Sequence, residues 1–130
     1  MKVFVIWVQV ILCTWDQSFH AKILSLQNAL EQKKVSIKVL SLGGHHGECI
    51  QMEIKNISTE NLTLEIEAGR RLNSINDLEQ DILIVKEQRV DIGPGETRET
   101  KVKGYCCQAD KLSPSERSRY DVNKIAEMPL

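Results

Sequence analysis

The fold is decided by an alternating stretch of the chain, Cys49-Ile50-Gln51-Met52-Glu53-Ile54-Lys55. Its apolar residues Ile50, Met52 and Ile54 recur at every second position, which is the period of a strand with one buried face. The same alternation places Cys49 on the opposite, polar face. The stretch opens a longer region, 48–107, that carries one cysteine near its start and two at its end. We expect this region to form the body of a β domain.

The period of two returns in several segments that are separated by turn residues, namely 35–39, 62–68, 89–92 and 96–107, and the continuous apolar run 82–85 is typical of a strand covered on both faces. The glycines of 42–47 and the run Gly93-Pro94-Gly95 mark two of the turns. We expect 49–57 and 62–68 to pair as a hairpin, and 69–77 to be a polar connection. Strands at intervals of about a dozen residues predict an antiparallel β-sandwich, which we assign to 35–107, rather than βαβ units.

The chain begins with the pattern of an export signal. A lysine precedes the apolar run Val3–Cys13, which is too short to span a membrane. We therefore predict a signal peptide at 1–21, and a protein that is secreted, periplasmic or associated with the cell envelope. Cleavage after Ser18 or Ala21, lipidation of Cys13 in a lipoprotein-like box, and a buried first strand remain alternatives. The signal, or a lipid on Cys13, is the one membrane contact that we predict.

The segments that flank the predicted sandwich have different patterns. Ile23, Leu26 and Leu30 are spaced by three and four residues, which predicts one short amphipathic helix at 22–34. The serine-rich, charged run 113–119 predicts that 108–130 is a polar tail or linker stub.

Composition limits the classes of function. The chain has 130 residues, a net charge of −1 and 5% aromatic residues, which argues against binding of nucleic acid. It contains no phosphate-binding glycine loop, no nucleophile elbow and no zinc-protease helix. The sequence therefore predicts neither catalytic residues nor a cofactor, and leaves an envelope or protein partner of unknown identity.

The cysteines of the predicted mature chain are three, Cys49, Cys106 and Cys107, and three thiols make one bridge and leave one free. A bridge from Cys49 to Cys106 or Cys107 would stabilise the fold by roughly 4 kcal/mol on the chain-entropy model. We favour Cys106 as the partner because its strand pattern buries it, and a vicinal Cys106–Cys107 bridge is the third possibility.

Three other groups of polar residues could have a binding or modification role. His45, His46 and Cys49 are weak candidates for a metal site, because imidazole and thiolate suit zinc or copper. Arg70 and Arg71 could hold a carboxylate, or could protect the edge of a sheet. Two glycosylation sequons, at 56–58 and 61–63, fall in predicted surface loops.

Several short motifs carry a resemblance to known proteins: Gly47-Glu48-Cys49, Lys55-Asn56, Gly69-Arg70-Arg71-Leu72, Gln80-Asp81-Ile82-Leu83, Pro94-Gly95-Glu96-Thr97 and Gly104-Tyr105-Cys106-Cys107-Gln108-Ala109 with Ser113-Pro114. Over about 35–114 the chain resembles uncharacterised secreted or envelope proteins of bacteria. That resemblance implies an immunoglobulin-like sandwich and an exported location. More distantly, the strand that ends in an aromatic residue and Cys106 is similar to thioester domains of bacterial surface adhesins, in which such a cysteine is joined to a glutamine.

Two hypotheses about function follow. The first is a non-catalytic, secreted or envelope-associated β-sandwich with a structural or interaction role. The second is a reactive-cysteine or metal-binding module that uses Cys106 and Cys107 with His45 and His46.

Overall fold

The computed structural model describes residues 21–122, which form nine strands and one short helix. The predicted β-rich class is confirmed. The predicted signal, including Cys13, lies outside the described residues except for Ala21. The elements are β1 (Lys22–Ser25), α1 (Leu26–Glu31), β2 (Val35–Ser41), β3 (His46–Asn56), β4 (Leu62–Ile66), β5 (Arg71–Ser74), β6 (Ile82–Ile84), β7 (Gln88–Ile92), β8 (Thr97–Cys106) and β9 (Arg119–Val122).

Six of the strands close into a barrel in the order β2-β3-β8-β6-β5-β9, with β9 paired to β2. Every neighbouring pair in this barrel is antiparallel. The apolar residues of β3 predicted to face inward, Ile50, Met52 and Ile54, are fully buried. Closure removes the free edges of this sheet. A sandwich of the immunoglobulin-like type is not confirmed, because the larger sheet closes on itself.

The other sheet has the order β1-β4-β7, with β1 parallel to β4 and β4 antiparallel to β7. One core cluster contains residues of both sheets. The predicted hairpin of 49–57 with 62–68 is therefore wrong, since β3 pairs with β2 and β8 while β4 pairs with β1 and β7. The turn between β3 and β4 carries the chain from the barrel to the smaller sheet.

The flanking segments also differ from the predictions. The helix is limited to Leu26–Glu31, because Ser25 caps its N-terminus by accepting a hydrogen bond from Asn28 N at 3.1 Å. Residues 22–25 belong to β1, and the predicted connection 69–77 contains β5. The predicted tail contains β9, the strand that closes the barrel. No helix within residues 21–122 is long and apolar enough to cross a membrane.

Candidate functional site

The barrel gathers the cysteines and histidines at one of its two ends, which we call the cysteine end. It is formed by the loop before β3, the last residues of β8, the segment 75–81 and the segment 107–118. His46 lies opposite Tyr105 in the ladder, and Cys106 N donates to His45 O at 3.0 Å. A groove of about 530 Å³ at this end is lined by Gln80, Ala109 and Ser113 together with His45, Tyr105, Cys106 and Cys107.

Cys49 is buried although the alternation of β3 predicts a polar face for it. The register of β3 against β8 shifts between Gly47 and Ile50, so that Cys49 and Ile50 are both buried. A β-bulge of this kind sends two successive side chains to the same region. The added Cβ of a substituted Gly104 would lie 3.4 Å from Cys49 Sγ, which places the thiol against the inner face of β8.

Cys106, the last residue of β8, and the following Cys107 differ in exposure. The strand pattern predicts that Cys106 is buried; in the structure it is half-buried and packs against the core cluster. Cys107 is exposed, and its thiol donates to Asp81 O at 3.2 Å. Cys49, Cys106 and Cys107 are all free thiols in this structure, so the predicted disulfide stays a prediction.

Burial makes all three thiols weaker acids. It raises the pKa of Cys49, and it raises that of Cys106 together with the neighbouring Cys49 and Cys107 charges. Although Cys107 is exposed as a residue, partial desolvation raises its pKa; the Arg71 guanidinium opposes this shift and the Asp81 carboxylate adds to it. Because the thiolate is the nucleophile, these surroundings do not activate the cysteines at neutral pH.

We expect the reduced protein to be alkylated in the order Cys107, Cys106, Cys49, each more slowly than a free cysteine at about pH 7. The rate at Cys107 should rise about tenfold per pH unit below its pKa, because only the thiolate reacts. Peptide mass spectrometry after timed alkylation measures each rate, and C107S should remove the fastest phase. Labelling of Cys49 as fast as Cys107 in the native state would contradict the burial that we describe.

The three weak metal candidates do not form one site. His45 and His46 are exposed on the rim, with ring centroids 4.9 Å apart, whereas Cys49 is 1% exposed inside the barrel. Within residues 21–122 no group of three or more histidine, cysteine or carboxylate side chains is placed to hold a metal ion.

Both arginines that could hold an external carboxylate hold internal ones. Arg70 is fully buried, and its Nε donates to Glu67 Oε2 at 3.0 Å. Arg71 donates from Nε and Nη2 to Asp81 Oδ2 at 2.9 and 2.6 Å. Neither guanidinium is therefore the main element of an external anion site.

A second cavity, of about 420 Å³, lies at the cysteine end between the segment 75–79 and the segment 115–119. Glu79 lines it, although this residue is only 8% exposed. Glu79 Oε1 accepts a hydrogen bond from Ser115 Oγ at 3.2 Å, and Oε2 has no hydrogen-bond partner among the described residues. Arg117 and Arg119 line the same cavity, which we call the Glu79 cavity.

The phenol of Tyr120 lies inside the barrel near the Glu79 cavity. Burial and the nearby Glu79 carboxylate raise the pKa of Tyr120, with smaller contributions from Cys106 and Cys49. The Ser41 hydroxyl slightly lowers this pKa, but Tyr120 Oη has no partner at hydrogen-bond geometry among the described residues. Tyr120 therefore stays a neutral phenol at physiological pH.

Sequence reasoning missed the Glu79 cavity. The run 113–119 is serine-rich and charged, which is typical of a linker, and only Tyr120 and Val122 alternate after it. Two apolar residues are too few to predict a strand. The sequence feature that could have revealed the cavity is Tyr120, an isolated aromatic residue after a polar run. A buried tyrosine needs another strand or loop to pack over it.

The chain matches no family model, no curated protein and no solved structure at a significant level.

Proposed function

We propose that this chain is a non-catalytic β module, secreted or associated with the cell envelope, that acts through contacts with a protein partner. The observation that carries the proposal is the set of exposed apolar side chains at the cysteine end. Four of the seven large hydrophobic residues that are exposed in the described part belong to its segments: Ile75, Leu78, Tyr105 and Leu112. Apolar side chains gathered on one surface are typical of interaction sites.

The local structure holds these side chains in place. Leu112 N donates to Leu78 O at 3.0 Å, and Leu112 also forms a bridge with Glu79. Leu78 and Leu112 therefore lie on adjacent segments, exposed by 69% and 66%. Ile75 N donates to Arg119 O at 3.0 Å, which attaches the same loop to β9. A partner would meet a surface that is already ordered, which reduces the entropy lost on binding.

The proposal includes an exported location and an immunoglobulin-like sandwich fold. Both are expectations from the sequence and from the resemblance. The charge-then-apolar pattern of 1–21 supports export, and the single core shared by both sheets supports a sandwich-like module of the immunoglobulin-like type. In an oxidising compartment, we expect Cys49 to bridge to Cys106, since both lie on the inner side of the barrel at the cysteine end.

Intact mass spectrometry of the full chain, recovered from the host's extracellular or envelope fraction, tests export and the bridge. We expect a mass that lacks the N-terminal segment and gains one alkyl group without reduction but three after it. In C106S this bridge cannot form, so we expect two alkyl groups, on Cys49 and Cys107, both without reduction and after it. A soluble cytoplasmic product that retains 1–21 would overturn the exported location.

Site-specific photo-cross-linking in the same cells tests the interaction role. A cross-linker at Leu78 should give one discrete adduct with another protein, and the adduct should disappear when Leu112→Ser is added. The matched control is a cross-linker at Ile23, which is 57% exposed on β1 and should give none. Equal adducts at both positions, or none at Leu78, would overturn the role of the cysteine end.

A reactive-thiol or metal-binding module is the second candidate, because the 530 Å³ groove brings together His45, Cys106 and Cys107. The raised pKa of both thiols argues against a catalytic nucleophile. Alkylation at about pH 7 faster than that of a free cysteine, or one equivalent of bound metal in the purified protein, would favour this second candidate over the first.

A further inference from the structure

We propose that the Glu79 cavity binds a small zwitterion of the α-amino acid type, with Glu79 holding the ammonium group and with Arg117 and Arg119 holding the carboxylate. This inference goes beyond the interaction role, because it concerns a small molecule and, apart from Ile75, a different set of residues. Two observations support it: the geometry of the cavity, and the charged groups around it that have no charged partner among the described residues.

The carboxylate of Glu79 is the first of these groups. Its side chain is more than nine-tenths buried, and Oε2 makes no hydrogen bond to any described residue. Ser115 Oγ uses its one hydrogen on Oε1, so that Ser118 Oγ, 2.8 Å away, is the donor to Ser115. The two serines thus fix the orientation of the carboxylate. A buried oxygen acceptor that receives no hydrogen bond lowers the stability of the fold. Oε2 is closed to solvent in this structure, so an ammonium group supplies the missing donor with charge once the side chains that cover Oε2 move aside.

The two arginines are the second group. Among the described residues, four arginines form ion pairs with carboxylates, at Glu67, Asp81, Glu65 and Glu96. Arg117 and Arg119 form no ion pair within 21–122, and both line the Glu79 cavity. A guanidinium presents a planar set of donors that matches a carboxylate. The two arginines of the described part that form no ion pair therefore both line one cavity.

Backbone pairing with β2 fixes the main-chain positions of these two arginines. Arg117 adopts a positive φ of 65°, and its N–H donates to Ser41 O at 2.9 Å. Arg119 lies in β9, opposite Leu40 of β2. Both side chains thus arise from backbone that is tied to β2 and not from a free linker, so that the carboxylate-binding side of the cavity is built in advance.

The charges around the cavity favour a dipolar ligand. The lining contains two acidic residues, Glu79 and Glu116, and two arginines, so that its formal charge is zero. A simple anion would leave Glu79 unsatisfied, and a simple cation would leave both arginines unused. A zwitterion satisfies both. The volume of about 420 Å³ exceeds that of one amino acid, and Ile75 supplies an apolar wall for its side chain.

Titration of the purified full chain with L-leucine, followed by two-dimensional amide NMR, tests the proposal. We expect saturable shifts centred on 75–79 and 115–119. N-acetyl-leucine lacks the ammonium group and leucinamide lacks the carboxylate, so each should bind at least tenfold more weakly. Titration with leucyl-leucine distinguishes a free amino acid from the end of a peptide as the ligand. In the dipeptide the ammonium and carboxylate groups are too far apart for one cavity to hold both in the same way. Equal affinity for leucine and leucyl-leucine would assign the site to peptide ends.

R117Q and R119Q should each weaken the binding of L-leucine at least tenfold, and both residues are exposed, so the fold should survive. R98Q is the matched control, since Arg98 is an exposed arginine away from the cavity and should change nothing. E79Q should abolish binding if the variant folds; the arginine variants and the capped ligands decide the question if it does not. No saturable shift up to millimolar L-leucine, or equal binding of N-acetyl-leucine, would overturn the proposal, whatever the outcome of the cross-linking.

Discussion

Replacement of Arg70 by methionine is expected to lower the free energy of unfolding by about 3–5 kcal/mol. Arg70 is fully buried, and its Nη2 donates to Gln27 Oε1 at 3.1 Å in addition to the bond from Nε to Glu67. The guanidinium thus joins α1 to the chain between β4 and β5. Methionine fills much of the same volume but leaves the Glu67 carboxylate, whose side chain is 18% exposed, without its charged partner.

Urea unfolding followed by circular dichroism measures this effect, and Arg71 supplies the control. R71M removes the adjacent guanidinium, which is 41% exposed and pairs with Asp81, and should cost about 1 kcal/mol or less. The double variant R70M/E67Q should recover part of the loss, because no carboxylate is then left buried. An R70M deficit as small as that of R71M would contradict a structural role for the buried pair.

The effect of R70M should depend on pH. Burial alone would raise the pKa of Glu67, but hydrogen bonds from Arg70 and from Gln27 N hold it below its ordinary value. In the parent protein this pair therefore stabilises the fold above about pH 4.5, and the contribution is lost as pH falls through the lowered pKa. In R70M burial is no longer opposed by the guanidinium, and the deficit should shrink as the medium is acidified and Glu67 is protonated. A deficit that grows on acidification would contradict this assignment.

The sequence was informative where a strand has one buried face. The alternation of Ile50, Met52 and Ile54 predicts the inner side of β3, and the residues are buried there. Alternation does not identify the neighbouring strand, since any apolar face can pair with any other. The five-residue turn after β3 predicts a hairpin, whereas the structure uses it to cross between the sheets.

The candidate sites were harder to predict because they depend on distant segments. The register shift between Gly47 and Ile50 turns Cys49 inward, and a single inserted residue of this kind leaves no trace in the hydrophobic period. The Glu79 cavity needs β9, which has only two apolar residues that alternate. The grouping of His45 with Cys106 and Cys107 could be predicted, because these residues lie at or next to the ends of two strands of one sheet.

Asn56 illustrates a polar residue whose role the sequence conceals. As the first residue of a glycosylation sequon, Asn56 was expected in a surface loop, but it is fully buried at the end of β3. Its Nδ2 donates to Glu60 O at 2.7 Å and to Ile92 O at 3.1 Å, while Oδ1 accepts from Ser58 N at 2.9 Å. The amide thus holds the crossing turn against β7, and a glycan on Asn56 is incompatible with this packing.

Asn56→Asp should accordingly lower the free energy of unfolding by about 3 kcal/mol. The change keeps the shape but replaces two donors with an acceptor that faces two carbonyl oxygens. Asn61→Asp is the matched control, because the same change in the second sequon touches no side-chain hydrogen bond that the structure shows within 21–122, and it should cost less than about 0.5 kcal/mol. Burial should raise the pKa of the new carboxyl group, so the deficit should diminish as pH falls and the group regains a proton that it can donate. Equal urea midpoints for the two variants would show that the buried amide does not hold the crossing between the sheets.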